Sequence, residues 1–532
     1  MPDKTSKDKQ SHPDRDTIIG AKTAGVASLM SFGRFVALFI SGIAFIIVAR
    51  ILGPSVYGIY TLALAYTGFF TSGLADLGIS ITFSKFIGQY SGSGNKLEIE
   101  KVLSNGYTIA IISGIIFTIV ALLLSNVIAT YELKNASLTY VVQIVSFAII
   151  LGMLFNISYN ALVGFGRGRY IVISIIVQSL SQAIASIALA ILGYGALAPI
   201  IGLLIGYVGA IIFAFAIFNI KFNINFKMPS LKYMKRLVTF SYPIAVYNSF
   251  RGIVSNLSPI VLGLFVAIAI VGNFGVALRT SAIISNITDA LGLAVLPMFA
   301  YTASRRNIDK SIGKFYNYAL YLTYVLVTPA LLYIAILSKQ FSYTLFSAKY
   351  ALAPTFISII SIGTLLWILA TFTIMLLIGT NKVKALLKYS LIVEAIEVVL
   401  LFIVVPLFGG VGLSILLYII TPVLMIIFMT RAAKRLVNVK LDVKKLGLVF
   451  LSGLISAAFL IPLLISLKGN YIAILLAGAI EQMILYPIIL AFSGAASRKD
   501  LKVLKDVTKK IPILNTIMNI LTDYTWYFAK NA

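Results

Sequence analysis

The chain has 532 residues, of which 60% are hydrophobic and only 11% are charged, whereas ordinary globular domains carry about 25% charged residues. This deficit excludes a soluble domain, and the net charge of +26 is therefore assigned to the cytoplasmic loops of a membrane protein and not to nucleic-acid binding. There is no cysteine and one histidine, His12, so disulfides, thiolate metal sites, zinc sites and histidine-based catalysis are excluded.

Apolar runs long enough to cross a bilayer recur along the whole chain. A transmembrane helix needs about 20 apolar residues. We therefore predict an all-α, polytopic membrane protein with about 14 transmembrane helices, built as two parallel six-helix lobes around a central cavity plus two extra C-terminal helices. The predicted spans are 25–48, 59–83, 104–125, 139–163, 171–192, 197–218, 238–266, 274–301, 315–337, 353–378, 388–406, 411–430, 448–467 and 471–492.

These spans divide the chain into segments. The N-terminal tail lacks the apolar core of a signal peptide and is expected to be disordered. The C-terminal tail alternates basic and apolar residues, which predicts an interfacial amphipathic helix; a disordered basic tail is the alternative. The predicted segments are a cytoplasmic tail (1–24), an N-lobe (25–219), a basic cytoplasmic linker (220–237), a C-lobe (238–430), two further spans (431–492) and a basic amphipathic tail (493–532).

The distribution of basic residues predicts the orientation in the membrane. If the N-terminus is cytoplasmic, 35 of the 43 Lys and Arg residues lie in inner segments, five in outer loops and three within spans. Basic residues gather in cytoplasmic loops. Both termini are therefore predicted to face the cytoplasm, in a multi-pass protein of the cell membrane.

The two predicted lobes carry matching features. When Gly58 is aligned with Gly275, Arg34 and Arg251 each lie 24 residues upstream. Because the offset is six spans, an even number, the repeats are parallel and related by an axis along the membrane normal. Two such bundles can rock about a central cavity, as in alternating access. Chance similarity between apolar helices is the alternative explanation.

Two motifs carry a family resemblance. The segments Arg50-Ile-Leu-Gly-Pro-Ser-Val-Tyr-Gly58 and Gly73-Leu-Ala-Asp-Leu-Gly-Ile-Ser80 resemble the opening of Wzx-type polysaccharide flippases in the multidrug/oligosaccharidyl-lipid/polysaccharide (MOP) exporter superfamily. The remainder resembles that family only in span count, lobe arrangement and the basic loop after the sixth span. The resemblance implies cavity arginines on the first and eighth helices, where Arg34 and Arg279 lie. Lipid II flippases carry a further arginine on the second helix, where this sequence has only Asp76.

Charged side chains within spans are the candidate binding groups, because an arginine at mid-bilayer costs at least about 2.5 kcal/mol. Spacings of three and four residues predict polar stripes on the seventh and eighth helices, and with Arg34 these stripes are expected to line one chamber. Guanidinium groups bind phosphate through paired donors, so the expected ligand is a phosphate or pyrophosphate linker, with amides and tyrosines facing the sugars. The predicted substrate-binding residues are Arg34, Arg251, Arg279, Asn248, Ser255, Asn286, Asn156 and Gln178, with Ser258, Asn160, Gln182, Tyr66 and Tyr247 as further candidates.

Structural roles compete with these predictions. Each amide alone is more often satisfied between helices, and Arg251 could pair with Asp289, or Arg34 with Asp76. Acids within spans also suggest coupling to a proton or sodium gradient. The predicted ion-coupling residues are Asp76, Asp289 and Glu397, whereas Glu394 is expected to cap the cytoplasmic end near Lys384 and Lys388, and Glu481 is a further candidate.

The predicted function is a flippase that moves a polyprenyl-(pyro)phosphate-linked oligosaccharide from the inner to the outer leaflet by alternating access. The expected partners are this glycolipid and membrane lipids; no nucleic acid and no cofactor are expected, and the protein is expected to be a monomer. The alternative is a multidrug cation/proton or sodium antiporter, which needs an acidic site, although the first span has Arg34 and no carboxylate. An enzyme is not expected, because the longest outer loop, 338–352, has no acid or histidine.

Overall fold

The computed structural model describes residues 15–76, 78–303, 308–437, 439–467 and 469–496, which form helices and no strand. Two π-helical turns, Phe69–Ala75 and Leu416–Ile420, interrupt the helical order. The α-helices are α1 Arg15–Gly68, α2 Ile79–Gly92, α3 Lys96–Tyr131, α4 Thr139–Gly164, α5 Gly168–Ile191, α6 Leu197–Ile220, α7 Leu231–Phe265, α8 Ile268–Ala303, α9 Ile308–Ile336, α10 Ser338–Phe346, α11 Ala353–Gly379, α12 Val383–Ile415, α13 Thr421–Val437, α14 Val443–Ala458, α15 Leu460–Ser466 and α16 Tyr471–Phe492.

Ten helical stretches of the described chain are long and apolar enough to cross a membrane. Two of them, Gly33–Ala75 and Val383–Val437, are each long enough to contain two predicted spans. The shorter apolar helices Ser249–Phe265 and Ile268–Ser281 fall in the seventh and eighth predicted spans. The predicted all-α, polytopic membrane fold is therefore confirmed.

The two longest stretches are broken at glycine. Gly53 has φ 72° and is followed by Pro54, and Gly409 has φ 55° three residues after Pro406. Positive φ is strained for residues with a Cβ, and proline cannot donate the helical hydrogen bond. Both breaks lie where the sequence predicts a turn between two spans.

Helix ends differ most from prediction. Helix α1 begins at Arg15, ten residues before the predicted first span at position 25, and α3 begins at Lys96, eight residues before position 104. The Asn95 side chain accepts a hydrogen bond from Glu98 N and caps α3, so polar residues continue the helix beyond the apolar run. The predicted thirteenth span is split into α14 and α15. Residues 1–14 and 497–532, with most of both predicted tails, lie outside the described residues.

The two halves of the chain pack closely along α1 and α8. A Cβ atom at Gly272 would collide with the carbonyl oxygen of Pro54, and one at Gly58 would collide with the carbonyl oxygen of Ile268. Only glycine allows the two backbones to approach this closely. The predicted turn between the first two spans is therefore held against the start of α8.

Three further hydrogen bonds join the halves at this same end, which the charge distribution predicts to be the outer one. Arg50 donates to Thr344 O at 3.1 Å. Tyr350 Oη donates to Ala49 O at 2.7 Å, and Lys134 Nζ donates to Val266 O at 2.7 Å. We call these three bonds the outer contacts.

At the opposite end, the linker between the halves is attached to the start of α3. Its backbone donates from Asn225 N to Glu100 Oε1 at 3.0 Å and from Ser230 N to Asn105 Oδ1 at 2.7 Å. Lys227 forms an ion pair with the buried Glu100 at 3.6 Å. The linker is therefore fixed to the first half of the chain before α7 begins at Leu231.

Candidate functional site

A cavity of about 580 Å³ lies within the second half of the chain. Residues of α7, α8, α11, α12 and α13 line it. Arg251, Ser255 and Ser258 all line this cavity, so the helical spacing brings these three predicted residues to one face of α7. Trp367 on α11 adds an aromatic wall, and its Nε1 donates to Leu417 O at 3.0 Å.

Two carboxylates face the same cavity. Glu394 and Glu397 lie nearly one turn apart on α12, and each is 7% exposed. Thr421 Oγ1 donates to Glu397 Oε2 at 3.0 Å, whereas Glu394 Oε2 has no hydrogen-bond partner among the described residues. Arg251 interacts electrostatically with Glu394. The prediction that Glu394 caps the helix near Lys384 and Lys388 is therefore wrong, because its position on α12 turns the carboxylate into the cavity.

A second cavity, of about 320 Å³, is lined by α1, α5 and α6 together with Arg279 of α8. Gln178 and Gln182 line it, and Gln178 Nε2 donates to Gln182 Oε1 at 2.7 Å. The Arg279 guanidinium interacts electrostatically with the hydroxyl groups of Tyr57, Tyr60 and Tyr207. This cavity therefore combines one cation, several hydroxyls and two amides, and among the described residues Arg279 is its only lining residue from the second half of the chain.

Arg34 lines neither cavity. It is exposed and donates to Tyr159 Oη at 3.0 Å. Asp76 instead accepts from Ser80 Oγ, so these two described side chains do not form the ion pair considered from the sequence. The three arginines were expected to line one chamber, whereas the structure places Arg251 and Arg279 in separate cavities and Arg34 in neither. This separation depends on the packing of neighbouring helices, which residue spacing alone does not define.

The other predicted residues lie outside the two cavities or outside the described residues. Asn156 lines neither cavity, and its carbonyl accepts from Asn160 Nδ2 at 2.9 Å. Tyr66 is 5% exposed and donates to Ala121 O at 2.7 Å, so its ring is packed against protein. The Glu481 oxygens are buried and find no hydrogen-bond partner in the described part of the chain, away from both cavities. Four side chains lie outside the described part of the structure, namely those of Tyr247, Asn248, Asn286 and Asp289.

The tyrosine cluster around Arg279 was not predicted from the sequence. Tyr57 and Tyr60 are three residues apart and follow the break at Gly53, a spacing that places both hydroxyls on one helical face. Tyr207 comes from α6 and has no comparable signal. Thr421 was missed as well, because a threonine within an apolar span is usually bonded to its own helix.

These elements together define a multi-pass helical membrane protein with separate polar cavities in its two halves. The structure is similar to that described as the lipid II flippase MurJ in an inward closed conformation, with a TM-score of 0.72 and 16% identity over 87% of this chain and 98% of that one. It is also similar to an inward-facing multidrug resistance MATE transporter of the MOP superfamily, with a TM-score of 0.63 and 16% identity over 75% of this chain and 94% of that one.

A third similar structure is a MOP superfamily transporter from Pyrococcus furiosus, described as having a binding pocket of reverse polarity, with a TM-score of 0.53 and 13% identity over 77% of this chain and 95% of that one. No curated protein matches the sequence. The chain belongs to the polysaccharide biosynthesis protein family, whose model matches residues 23–303. The predicted resemblance to a polysaccharide family is thereby confirmed, and the fold is similar to that of MOP superfamily transporters.

Proposed function

We propose that the protein is a flippase that moves a polyprenyl-(pyro)phosphate-linked oligosaccharide from the inner to the outer leaflet by alternating access. The observation that carries this proposal is the cavity around Arg279, whose described lining contains no carboxylate. A guanidinium stays charged at any working pH and offers paired donors to phosphate oxygens. The phosphate or pyrophosphate would bind to Arg279 and the tyrosine hydroxyls, and the first sugars to Gln178 and Gln182.

The position of Arg279 also supports a transport cycle. Within the described part of the chain, it is the one contribution of the second half to a cavity otherwise lined by the first half. A ligand bound there contacts both halves, so its affinity changes when the halves move relative to each other. A ligand shifts a conformational equilibrium only through such differential affinity.

The larger cavity supports a separate role in ion coupling. Glu397, Glu394 and Thr421 supply oxygen atoms, which are the ligands that a proton or a sodium ion would use. Carboxylates within spans commonly serve proton or ion pathways. We assign coupling to this cavity and binding of the phosphorylated head to the other one.

One observation favours the multidrug antiporter as a second candidate. Glu394, Glu397 and Trp367 line one cavity, and carboxylates beside an aromatic ring suit an organic cation. Arg251 in the same cavity opposes cation binding. A drug exporter would release a fluorescent cation from vesicles and would leave lipid-linked saccharides in their original leaflet.

The test is leaflet transfer in reconstituted vesicles of a fluorescent polyprenyl-pyrophosphate oligosaccharide. We expect Arg279→Gln to reduce the flipping rate at least about tenfold, because a charge-assisted hydrogen bond contributes about 1.5–3 kcal/mol.

The matched control is Arg169→Gln, which removes an exposed arginine outside both cavities and should keep the wild-type rate. Wild-type transfer by Arg279→Gln at equal protein density would refute phosphate binding at this site.

A further inference from the structure

A third cavity, of about 250 Å³, lies at the end of α13, next to the segment that connects α13 to α14. It is separate from both cavities assigned above, since it shares no lining residue with them. Its walls come from α9, α11, α13 and the connecting segment. The lining residues are Tyr316, Thr373, Thr430, Arg431, Ala433, Lys434, Val439, Lys440 and Leu441.

The described lining is strongly basic. Arg431, Lys434 and Lys440 are all exposed, and no carboxylate lines the cavity. The nearest acid along the chain, Asp442, is engaged elsewhere, because its side chain caps α14 by accepting from Lys445 N at 3.1 Å. Among the described residues, Asp442 forms no ion pair with Arg431, Lys434 or Lys440.

The cavity is held in shape by hydrogen bonds. Asn317 Nδ2 donates to Lys440 O at 2.8 Å, and Asn317 Oδ1 accepts from Asp442 N at 2.9 Å. This pair of bonds fixes the connecting segment to α9. Tyr316 and Thr373 pair their hydroxyls at 2.7 Å. A ligand would therefore meet a formed site and would not have to order the segment on binding.

A structural role accounts for only part of this cluster. Cations in the last turn of a helix interact favourably with the helix dipole, which explains Lys434 in the last turn of α13. It does not explain Lys440, which lies beyond the helix on the connecting segment. Nor does it explain why cations from both elements face one cavity that also contains three hydroxyl-bearing side chains.

The position of the cavity identifies its ligand. Thr430 ends the predicted twelfth span and Arg431 begins a charged stretch, so the cavity lies where an apolar span meets the headgroup layer. This end is predicted to be cytoplasmic, where anionic lipids attract basic pockets between transmembrane helices. Ala433, Val439 and Leu441 add apolar contacts for the glycerol region of a lipid. We propose that this cavity binds the phosphate of an anionic phospholipid headgroup.

The experiment measures lipid binding by the full-length protein in neutral detergent, by native mass spectrometry and by melting temperature. The probes are phosphatidylglycerol, phosphatidylcholine and inorganic phosphate. The site variant is Arg431→Gln/Lys434→Gln/Lys440→Gln. The matched control is Lys382→Gln/Lys384→Gln/Lys388→Gln, which removes three exposed lysines outside the cavity, at the same predicted end.

We expect phosphatidylglycerol to bind and to raise the Tm of the wild type and the control equally, because a ligand that binds only the folded state stabilises it. The site variant should bind phosphatidylglycerol at least about tenfold more weakly, since each basic residue near an anionic lipid contributes about 1 kcal/mol. The single variant Lys440→Gln keeps its backbone bond to Asn317 and should bind phosphatidylglycerol at least about threefold more weakly. It covers the case in which the triple variant does not fold.

Three outcomes would overturn the proposal. Equal binding of phosphatidylcholine would show that the negative charge is irrelevant. Equal loss of phosphatidylglycerol binding in the lysine control would show that only net charge matters. Stabilisation by inorganic phosphate without binding of phosphatidylglycerol would identify a site for free phosphate and not for a lipid.

Discussion

A carboxylate within a membrane span needs a compensating partner, and the two on α12 differ in this respect. Glu397 accepts from Thr421, whereas Glu394 Oε2 accepts from no described donor. Both face a polar cavity that also contains Arg251. Removing an ionic group from water costs several kcal/mol unless it is paired. This cost favours a functional role for the two carboxylates, namely the binding of a cation or a proton.

Glu397→Gln tests that role, because glutamine keeps the shape and an oxygen acceptor for Thr421 but cannot carry charge. We expect the variant to flip lipid-linked saccharide at the same rate with and without an ion gradient. The wild type should be stimulated by a gradient, with a ceiling of about 50-fold for one charge moved through about 100 mV, equivalent to about 2.3 kcal/mol. The measurement is the vesicle transfer assay, with proton and sodium gradients imposed separately.

The control is Glu481→Gln, which changes a buried carboxylate of α16 away from both cavities. It should keep the stimulation. Gradient stimulation that persists unchanged in Glu397→Gln would remove this carboxylate from the coupling mechanism.

At this scale the sequence predicts faces but not partners. The spacing of Arg251, Ser255 and Ser258 follows the helical period, and the structure brings them to one cavity. Arg279 and Arg34 could not be assigned in the same way. Which cavity a stripe faces depends on the packing of other helices, and no periodicity within α1 or α8 encodes that packing.

Among the elements, α1 and α8 make the closest approach between the halves. Gly58 and Gly272 allow it, since each would place a Cβ atom on a backbone carbonyl of the other helix. Small residues let membrane helices pack backbone to backbone. This contact lies at the same end as the outer contacts. A substitution at Gly58 or Gly272 therefore acts on the same closed arrangement of the two halves.

Gly272→Ala should disturb this approach. The added methyl group must separate α8 from Pro54, and overpacking of this kind costs about 1–3 kcal/mol. We expect the Tm in detergent to fall by at least about 2 °C and the flipping rate to fall with it.

Gly447→Ala is the matched control, because a Cβ atom at Gly447 meets nothing within 4 Å. It should leave both quantities near the wild-type values. A Tm for Gly272→Ala equal to that of the control would mean that the two helices are not in contact in the detergent-solubilised protein.

The helices themselves were largely predictable, and their ends were not. Hydropathy over about 20 residues identifies a span because the hydrocarbon thickness imposes that length. A helix end depends on individual caps such as Asn95 and on polar residues that continue the helix into water. Helix α10 was missed for the same reason, since Ser338–Phe346 is too short and too polar to form a span.

For the whole molecule, the outer contacts hold the two halves together at one end. Arg50, Tyr350 and Lys134 each donate to a backbone carbonyl of the other half. Every residue type supplies a backbone carbonyl, so these acceptors cannot be recognised in the sequence. The sequence therefore predicted the span count and the charge asymmetry but not this closure. Burial raises the pKa of the neighbouring Glu132 to about 8, so this carboxyl group is largely uncharged at neutral pH and does not neutralise Lys134.

Alternating access requires these contacts to break when the outer end opens. The triple variant Arg50→Gln/Lys134→Gln/Tyr350→Phe removes the three donors. Each bond contributes about 0.5–1.5 kcal/mol, so their combined loss should shift the population towards an outward-open state by at least about tenfold. The readout is the rate at which an impermeant maleimide labels Ser41→Cys, a position in the cavity around Arg279, from the outer face.

The sequence contains no cysteine, so the single introduced thiol reports without background. Lys339→Gln is the control, because Lys339 belongs to α10 at the same end but lies over Tyr343 of its own helix and should leave labelling unchanged. Faster labelling in the triple variant alone would establish that these bonds close the outer end. Equal labelling of the wild type, the triple variant and the Lys339→Gln control would show that other contacts close the outer end. Labelling of the triple variant only from the opposite face would contradict the expected opening of the outer end.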